Sequence, residues 1–168
     1  TVDVFEKDEV LAEARVWDTG HQAFPDPDAL FAYIDRTAGH LMWAAARVLG
    51  APDAAEAAVR DFAAGAGMAN WFCATAALID RNRQPLPDGS AVAIRQLADD
   101  ALSRITRAKA GATLIPRDTR PALWTGWQAH GLLRQARRDP GRVLSGRLGL
   151  SEFSRRGGLA WRAVLGAF

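Results

Sequence analysis

The sequence predicts an all-α protein that forms a single domain. Apolar residues recur at helical spacing along most of the 168 residues, and no stretch alternates polar and apolar residues between turn signals, as a strand would. The composition is 49% hydrophobic and 24% charged, with a mean hydropathy of −0.10. These values are typical of a globular chain and exclude collagen-like, disordered and disulfide-stapled proteins.

The first third of the sequence predicts two helices. One covers 5–17, where an apolar stripe opposes glutamates, and Gly20 ends it. The other begins with Asp26 as N-cap and Pro27 in its first turn, and it continues to Gly50. Its apolar residues follow the helical repeat: Leu30, Tyr33, Ile34, Ala38, Leu41, Met42 and Ala45.

A third helix is predicted over 54–80, with Asp53 as its N-cap after Pro52. Its middle is unusually rich in small residues: Ala63, Ala64, Gly65, Ala66, Gly67 and Ala69. Because these glycines lie within a helix, their N–H groups are already bonded and cannot cradle a phosphate. Small side chains there allow either a close helix approach or an open cavity.

Two prolines make 81–89 a loop, and Ser90 can cap a fourth helix that ends near Ala112. Its charged residues lie opposite an apolar face, so we expect that face to point inward: Ala91, Ile94, Leu97, Ala98, Ala101, Leu102 and Ile105.

The end of the sequence predicts two more helices. Pro116 and Pro121 separate the fourth helix from a fifth over 122–138, where three arginines at the C-terminal end complement the helix dipole. A last helix follows Ser151 to the end of the chain.

The single Cys73 cannot form an internal disulfide, so nothing in the cysteine content favours an oxidising compartment. The N-terminus lacks the basic and apolar regions of a signal peptide, and no apolar run approaches the ~20 residues of a membrane span. We therefore expect a cytoplasmic protein, with any membrane contact peripheral.

Charge is distributed unevenly along the chain. Residues 1–100 contain 16 acidic and 8 basic side chains, whereas 101–168 contain 3 and 13. The C-terminal arginines do not alternate with exposed aromatic residues, and no nucleic-acid-binding motif is present, so we expect no nucleic-acid partner.

Residues that could perform metal or nucleophilic chemistry are scattered. Three histidines, His21, His40 and His130, have no second histidine at the spacing of a metal site. Cys73 lies in an apolar helix, where we expect a packing role. The carboxylate pairs are best interpreted as solvated faces or first-turn acids: Glu9 with Glu13, Asp53 with Glu56, and Asp99 with Asp100.

Five stretches, in order, resemble the squalene and phytoene synthase family. They are Glu13 to Asp18 followed by Phe24 to Asp26, Tyr33 followed by Ala38 and Gly39, the helix around Gly65 and Gly67, Pro85 to Pro87, and Ala122 and Leu123 followed by Arg137 to Pro140. The resemblance covers nearly the whole chain. It implies the isoprenoid synthase bundle, whose helices surround an apolar cavity and whose two aspartate motifs hold Mg²⁺ and prenyl diphosphates.

The chain departs from that family in both aspartate motifs. It resembles the later two-thirds of a family member, a single domain over 1–168, so the first motif and the earlier helices would precede Thr1 or be absent. The second motif should lie in 69–80, where Asp80 is the only carboxylate. No cofactor is therefore evident, and Mg²⁺ is expected only if a preceding segment supplies an aspartate motif.

The resemblance is greatest to a divergent branch that lacks these aspartates and includes a mitochondrial complex I assembly factor. It implies a non-catalytic protein with no catalytic residues, which binds a prenyl diphosphate or another apolar lipid, or a protein partner during assembly. The residues expected to line its cavity are Tyr33, Gly39, Gly65, Gly67, Asn70 and Trp71. Alternatively, ligands from a preceding segment hold a metal ion together with Asp80 or Asp35. The chain would then be a prenyltransferase that condenses prenyl diphosphates in isoprenoid biosynthesis.

The last predicted helix combines aromatic and basic residues. Phe153, Trp161 and Phe168 occur with Arg155, Arg156 and Arg162. Such a combination suits peripheral contact with an anionic membrane, at its inner face. Ordinary core packing with solvated arginines is the alternative.

Overall fold

The computed structural model describes residues 23–150, and all their regular secondary structure is helical. This confirms the all-α prediction for that part of the chain, whereas the helices predicted over 5–17 and 151–168 lie outside it. The α-helices are α1 (Pro27–Ile34), α2 (His40–Val48), α3 (Glu56–Ile79), α4 (Ala91–Ala110), α5 (Ala129–Arg138) and α6 (Gly141–Leu144).

Helices α1 and α2 form one continuous helix that is interrupted by a π turn over Asp35–Gly39. Asp26 caps α1 as predicted, accepting a hydrogen bond from the Ala29 N–H at 2.7 Å. In the π turn, the His40 N–H donates to the Asp35 carbonyl five residues back. The turn thus inserts one extra residue into the helix.

The π turn changes which residues of α2 are buried. Leu30, Phe31 and Ile34 are buried before it, and Met42, Trp43 and Ala46 after it. An uninterrupted α-helix would place Leu41 and Ala45 on the same face as Leu30 and Ile34, but both are exposed. The predicted helical repeat from 27 to 50 is therefore wrong at Leu41 and Ala45, whereas Met42 of the same repeat is buried.

Helix α3 lies at the centre of the bundle and contacts α1, α2, α4, α5 and α6. Every residue from Phe62 to Ala69 is buried. The segment Asp53–Ile79 is long and apolar enough to span a membrane, but half of its most apolar window is buried inside the bundle, as in a core helix.

Asp53 does not cap α3 as predicted. A 3₁₀ turn over Asp53–Ala55 precedes the helix, whose N-cap residue is Ala55. The Asp53 carboxylate instead forms an ion pair with Arg47 at 2.8 Å, between the start of this turn and the end of α2.

Helix α4 agrees closely with its sequence pattern. The Ser90 hydroxyl accepts a hydrogen bond from the Ala93 N–H at 3.2 Å, as its predicted N-cap role requires. The predicted inward face is buried from Ile94 to Ile105, and only Ala91, in the first turn, is exposed instead. The helix ends at Ala110, two residues earlier than expected.

The loop over 81–89 is present as predicted, and it packs on the end of α3. Its backbone turns at Asn82, where φ is 57°. The Trp71 indole N–H donates to the Pro85 carbonyl at 2.8 Å, and Leu86 is buried.

Only the second half of the fifth predicted helix, 122–138, is α-helical. A 3₁₀ segment over Arg117–Gly126 contains Pro121, and α5 begins at Ala129. Proline lacks an N–H and its ring clashes with an α-helical turn before it, so Pro121 disfavours an α-helix over 117–120. We call Arg117–Gly126 the 3₁₀ segment.

Candidate functional site

An apolar groove of about 240 Å³ runs between α2 and the 3₁₀ segment, with α3 as its floor. None of its lining residues is charged, and only Asn70 and Thr125 are polar. The lining residues are Ala38, Leu41, Met42, Ala45, Ala63, Ala66, Gly67, Asn70, Ala122, Thr125 and Gly126. We call this the small-residue groove.

Glycines let the walls of this groove approach its floor. A Cβ at Gly126 would lie 2.7 Å from the Ala66 Cβ and 2.8 Å from Phe62 Cε1, so only glycine allows the 3₁₀ segment to lie this close to α3. A Cβ at Gly67 would overlap the Ile34 side chain of α1. Ala63, Ala66 and Gly67 of α3 leave most of the floor of the groove free of large side chains.

Two of the six predicted cavity residues, Gly67 and Asn70, line the small-residue groove. Tyr33 and Trp71 lie together in an aromatic cluster with Phe24, with ring centroids 5.3 to 5.9 Å apart. This cluster packs α1 against α3 and continues into the loop through the Trp71 hydrogen bond to Pro85.

The other two predicted residues serve helix contacts. A Cβ at Gly65 would overlap Ile105 of α4 and lie 3.0 Å from the Ala101 carbonyl oxygen, so Gly65 allows α3 and α4 to pack closely. A Cβ at Gly39 would overlap the Asp35 carboxylate one turn earlier. The structure thus does not place all six residues around one cavity.

Sequence reasoning did not identify the outer walls of the groove. Ala45 and Leu41 were expected on the same face as the core residues of α1, and the π turn brings them to the rim instead. Ala122 and Gly126 lie in a segment that was predicted to be α-helical. Gly126 lies between Trp124 and Trp127 in the sequence, and a glycine between two aromatic residues was the available signal for a close approach.

Arg60 of α3 bonds the first residue of the π turn. It donates to Glu56 at 2.7 Å and to both Asp35 carboxylate oxygens at 3.2 and 3.3 Å. Burial acts to lower the pKa of Arg60, but hydrogen bonds and charges of Glu56 and Asp35 outweigh it, so the pKa is raised. Arg60 therefore stays charged and links α3 to the π turn.

Three carboxylates of the pairs considered for metal binding are engaged by arginines. Asp53 pairs with Arg47, Glu56 with Arg60, and Asp99 with Arg137 at 3.3 Å. Within residues 23–150, no group of three or more His, Cys, Asp or Glu side chains could hold a metal ion. The Glu9 and Glu13 pair lies outside these residues.

Cys73 is exposed on α3, so the predicted packing role in an apolar core is wrong. The helix presents Phe72 to the core and turns the next residue outward. Partial desolvation of the sulfur still raises the pKa of the Cys73 thiol, which makes it a weak nucleophile at neutral pH.

A second cavity, of about 630 Å³, lies between the start of α1, the loop and α4. It is lined by Asp26, Asp88, Asp99 and Asp100 together with three prolines. Three of these carboxylates already have partners, because Asp26 caps α1, Asp88 bonds Ser90 and Asp99 pairs with Arg137. These partners leave only Asp100 of the four without an interaction described above.

Comparison with known proteins gives no relative for this chain: no family model, no curated protein and no solved structure matches it.

Proposed function

We propose that this protein is a non-catalytic member of the squalene and phytoene synthase type and that its small-residue groove binds the hydrocarbon chain of a neutral apolar lipid. The observation that carries this proposal is the lining of the groove, which combines apolar and small side chains with no charge. Removing an apolar chain from water releases about 0.8 kcal/mol for each buried CH₂ group. An uncharged groove gains this free energy without desolvating an ion.

The same lining argues against a diphosphate as the group held in the groove. A diphosphate needs cationic side chains or a carboxylate-bound metal ion, since burying an unpaired anion is costly. The two polar side chains, Asn70 and Thr125, can orient a hydroxyl group by hydrogen bonding. A prenyl alcohol therefore fits the lining better than its diphosphate ester.

The size of the groove limits what it holds. At about 240 Å³ it is smaller than the roughly 300 to 1,000 Å³ of pockets that enclose a drug-sized ligand. It accommodates part of a prenyl chain, and the remainder would lie along the exposed face of α2. There Leu41 is 51% and Val48 87% exposed.

Those two residues also favour a second candidate function, the docking of a protein partner during assembly. Leu41 and Val48 are separated by two helical turns and lie on one face of α2, next to the groove. An apolar side chain of a partner helix could enter the groove in place of a lipid chain. Lipid binding and partner docking would then use the same surface.

A pair of neighbouring alanines tests the lipid proposal. Ala45 and Ala44 are both exposed on α2, but only Ala45 lines the groove. Ala45→Leu fills the groove without adding volume to the core, and Ala44→Leu adds the same atoms outside it. Binding of radiolabelled farnesol to the purified chain is then measured by equilibrium dialysis.

We expect farnesol to bind the unmodified chain and Ala44→Leu equally, and Ala45→Leu at least about tenfold more weakly, a difference of 1.4 kcal/mol. Farnesyl diphosphate should bind no better than farnesol. Equal binding by both variants, or no binding by either, would contradict the proposal.

The prenyltransferase alternative is tested separately. The protein is incubated with farnesyl or geranylgeranyl diphosphate and Mg²⁺, and released diphosphate is measured. The non-catalytic proposal expects release at the rate of buffer alone, and release well above it would overturn the proposal.

Peripheral contact with an anionic membrane through 151–168 stays a prediction, because this segment lies outside the described residues. Sedimentation with liposomes tests it, and we expect binding that depends on anionic lipid and weakens with salt. Absence of liposome binding at low salt would contradict this prediction.

A further inference from the structure

A third cavity, of about 410 Å³, lies where the loop after α3 meets the end of α6. It is lined by 83–89 together with Ala23, Ile79 and Leu144, and we call it the loop pocket. Ile79 and Leu144 are large apolar side chains, and each is 42% exposed. The loop pocket therefore presents apolar surface that residues 23–150 do not cover.

The walls of the loop pocket belong to packed elements. A Cβ at Gly146 would lie 3.1 Å from the Ala76 Cβ, so the end of α6 lies directly against α3. The loop is held by the hydrogen bond from the Trp71 indole to the Pro85 carbonyl and by the buried Leu86. The pocket is thus a fixed part of the bundle surface.

The chain enters the described structure at this pocket. Ala23, the first described residue, lines it, and Phe24 is already buried in the aromatic cluster. Residues before 23 therefore continue from the wall of the pocket. Trp17 precedes Ala23 by six residues, which span at most about 20 Å when extended, so its side chain can reach the pocket.

The segment 5–17 has the pattern of a helix with one apolar face. Val10, Ala14 and Trp17 recur at helical spacing, and the three glutamates of the segment form a separate stripe. A single short helix of this kind gains most of its stability by packing its apolar face on another element. The segment therefore needs an apolar surface, and the loop pocket is the one from which its chain continues.

Charge favours the same placement. Residues 1–22 contain six acidic and two basic side chains. Four arginines lie within three residues of the pocket lining: Arg81, Arg83, Arg142 and Arg147. Three aspartates do so as well, but Asp26 caps α1 and Asp88 bonds Ser90, which leaves Asp80. An acidic segment therefore meets more positive than negative charge at the loop pocket.

We propose that 5–17 packs its apolar face on the loop pocket of the same chain, with the Trp17 side chain against Ile79 and Leu144. A tryptophan buries roughly 150 to 250 Å² of surface, which is enough to cover both side chains. The short connection to Ala23 keeps the segment at a high effective concentration, which favours it over a separate ligand. This contact does not depend on lipid binding in the small-residue groove.

Trypsin cleavage after Arg15 measures how often the segment leaves the pocket. When opening and closing are fast, the cleavage rate follows the population of the open form. A synthetic peptide of residues 1–22 gives the rate without the pocket. We expect the full chain to be cleaved after Arg15 at least about tenfold more slowly than the peptide. Equal rates would overturn the proposal.

Variants on both sides test the contact itself. We expect Leu144→Asp and Trp17→Ala each to accelerate cleavage after Arg15 about fivefold or more, and the double variant to be no faster than the faster single one, because both remove one contact. The rate for Trp17→Ala is compared with that of the peptide carrying the same change. Val92→Asp, at a 62% exposed position of α4, is the matched control and should have no effect. Accelerations that multiply in the double variant, or an equal effect of Val92→Asp, would contradict the contact.

Cleavage after Arg60, in the central helix α3, reports on the bundle as a whole and should stay slow in every variant. If Leu144→Asp unfolds the bundle, Trp17→Ala still decides, since Trp17 lies outside the described residues. We expect the protection of Arg15 to be the same over about a hundredfold range of protein concentration, because the contact lies within one chain. Protection that increases with concentration would mean that a second copy fills the loop pocket and would overturn the proposal.

Discussion

Helices α4 and α2 show how differently two apolar helical patterns determine their packing. In α4, charged residues such as Arg95 and Asp100 lie opposite the buried face, so that only one rotation of the helix hides apolar atoms and exposes charges. In α2 almost every residue is apolar, and a π turn outside the helix decides which of them are buried. A helical repeat in the sequence therefore predicts the existence of a helix more securely than its rotation.

Truncation of a single side chain on the buried face of α4 should strongly destabilise the protein. Ile105 is 1% exposed and packs against Gly65 of α3. We expect Ile105→Ala to lower the free energy of unfolding by about 3 to 5 kcal/mol, because it removes buried methyl groups and leaves a cavity. Urea denaturation measures the loss, and Val92→Ala, at a 62% exposed position of the same helix, should change it by less than about 0.5 kcal/mol.

In α2, truncating two adjacent residues should change the free energy of unfolding by amounts as different as those for the two faces of α4. Met42 is 9% exposed and Leu41 is 51% exposed. We expect Met42→Ala to cost about 2 to 3 kcal/mol, and Leu41→Ala less than about 0.5 kcal/mol. Denaturant unfolding of both variants checks this, and equal losses would show that the π turn does not set the rotation of α2.

Close packing of α3 on α4 depends on a glycine. A Cβ at Gly65 would collide with Ile105, whereas one at Gly89 would meet nothing within 4 Å. We expect Gly65→Ala to destabilise the protein by about 1 to 3 kcal/mol through overpacking. Gly89→Ala is the matched control, and thermal unfolding that shifts by the same amount in both variants would exclude a specific role for Gly65.

The smallest expected effect on the free energy of unfolding concerns the N-cap of α4. Ser90 bonds the Ala93 N–H, and Ser103 lies on the exposed side of the same helix. We expect Ser90→Ala to cost about 1 kcal/mol through loss of the cap. Ser103→Ala should instead be neutral or slightly stabilising, because alanine is the better helix former. A loss at 103 as large as that at 90 would argue against the cap.

Features controlled by local chemistry were predictable from the sequence. The Asp26 and Ser90 caps and the loop over 81–89 depend on residues within a few positions of one another. The π turn was not predictable in this way. The turn contacts Arg60 through Asp35, 25 residues away, and a helical repeat within one segment does not include such a partner.

Of the candidate site, only the floor of the small-residue groove could be predicted from the sequence. Gly67 and Asn70 were expected to line a cavity because of the family resemblance, and Gly67 also belongs to the small-residue pattern of α3. The walls depend on the rotation of α2 and on the 3₁₀ path through Pro121, which brings Gly126 against Ala66. Both result from tertiary packing that overrides the local helical preference.

The rotation of α2 is tested most directly by the reactivity of thiols at two adjacent positions. In a Cys73→Ser background, Leu41→Cys and Met42→Cys are labelled under native conditions with a water-soluble maleimide. The exposed groove rim predicts fast labelling at 41 and protection at 42, in line with exposures of 51% and 9%. Protection at 41 with fast labelling at 42 would contradict the π turn, the rotation it sets and the small-residue groove that this rotation forms.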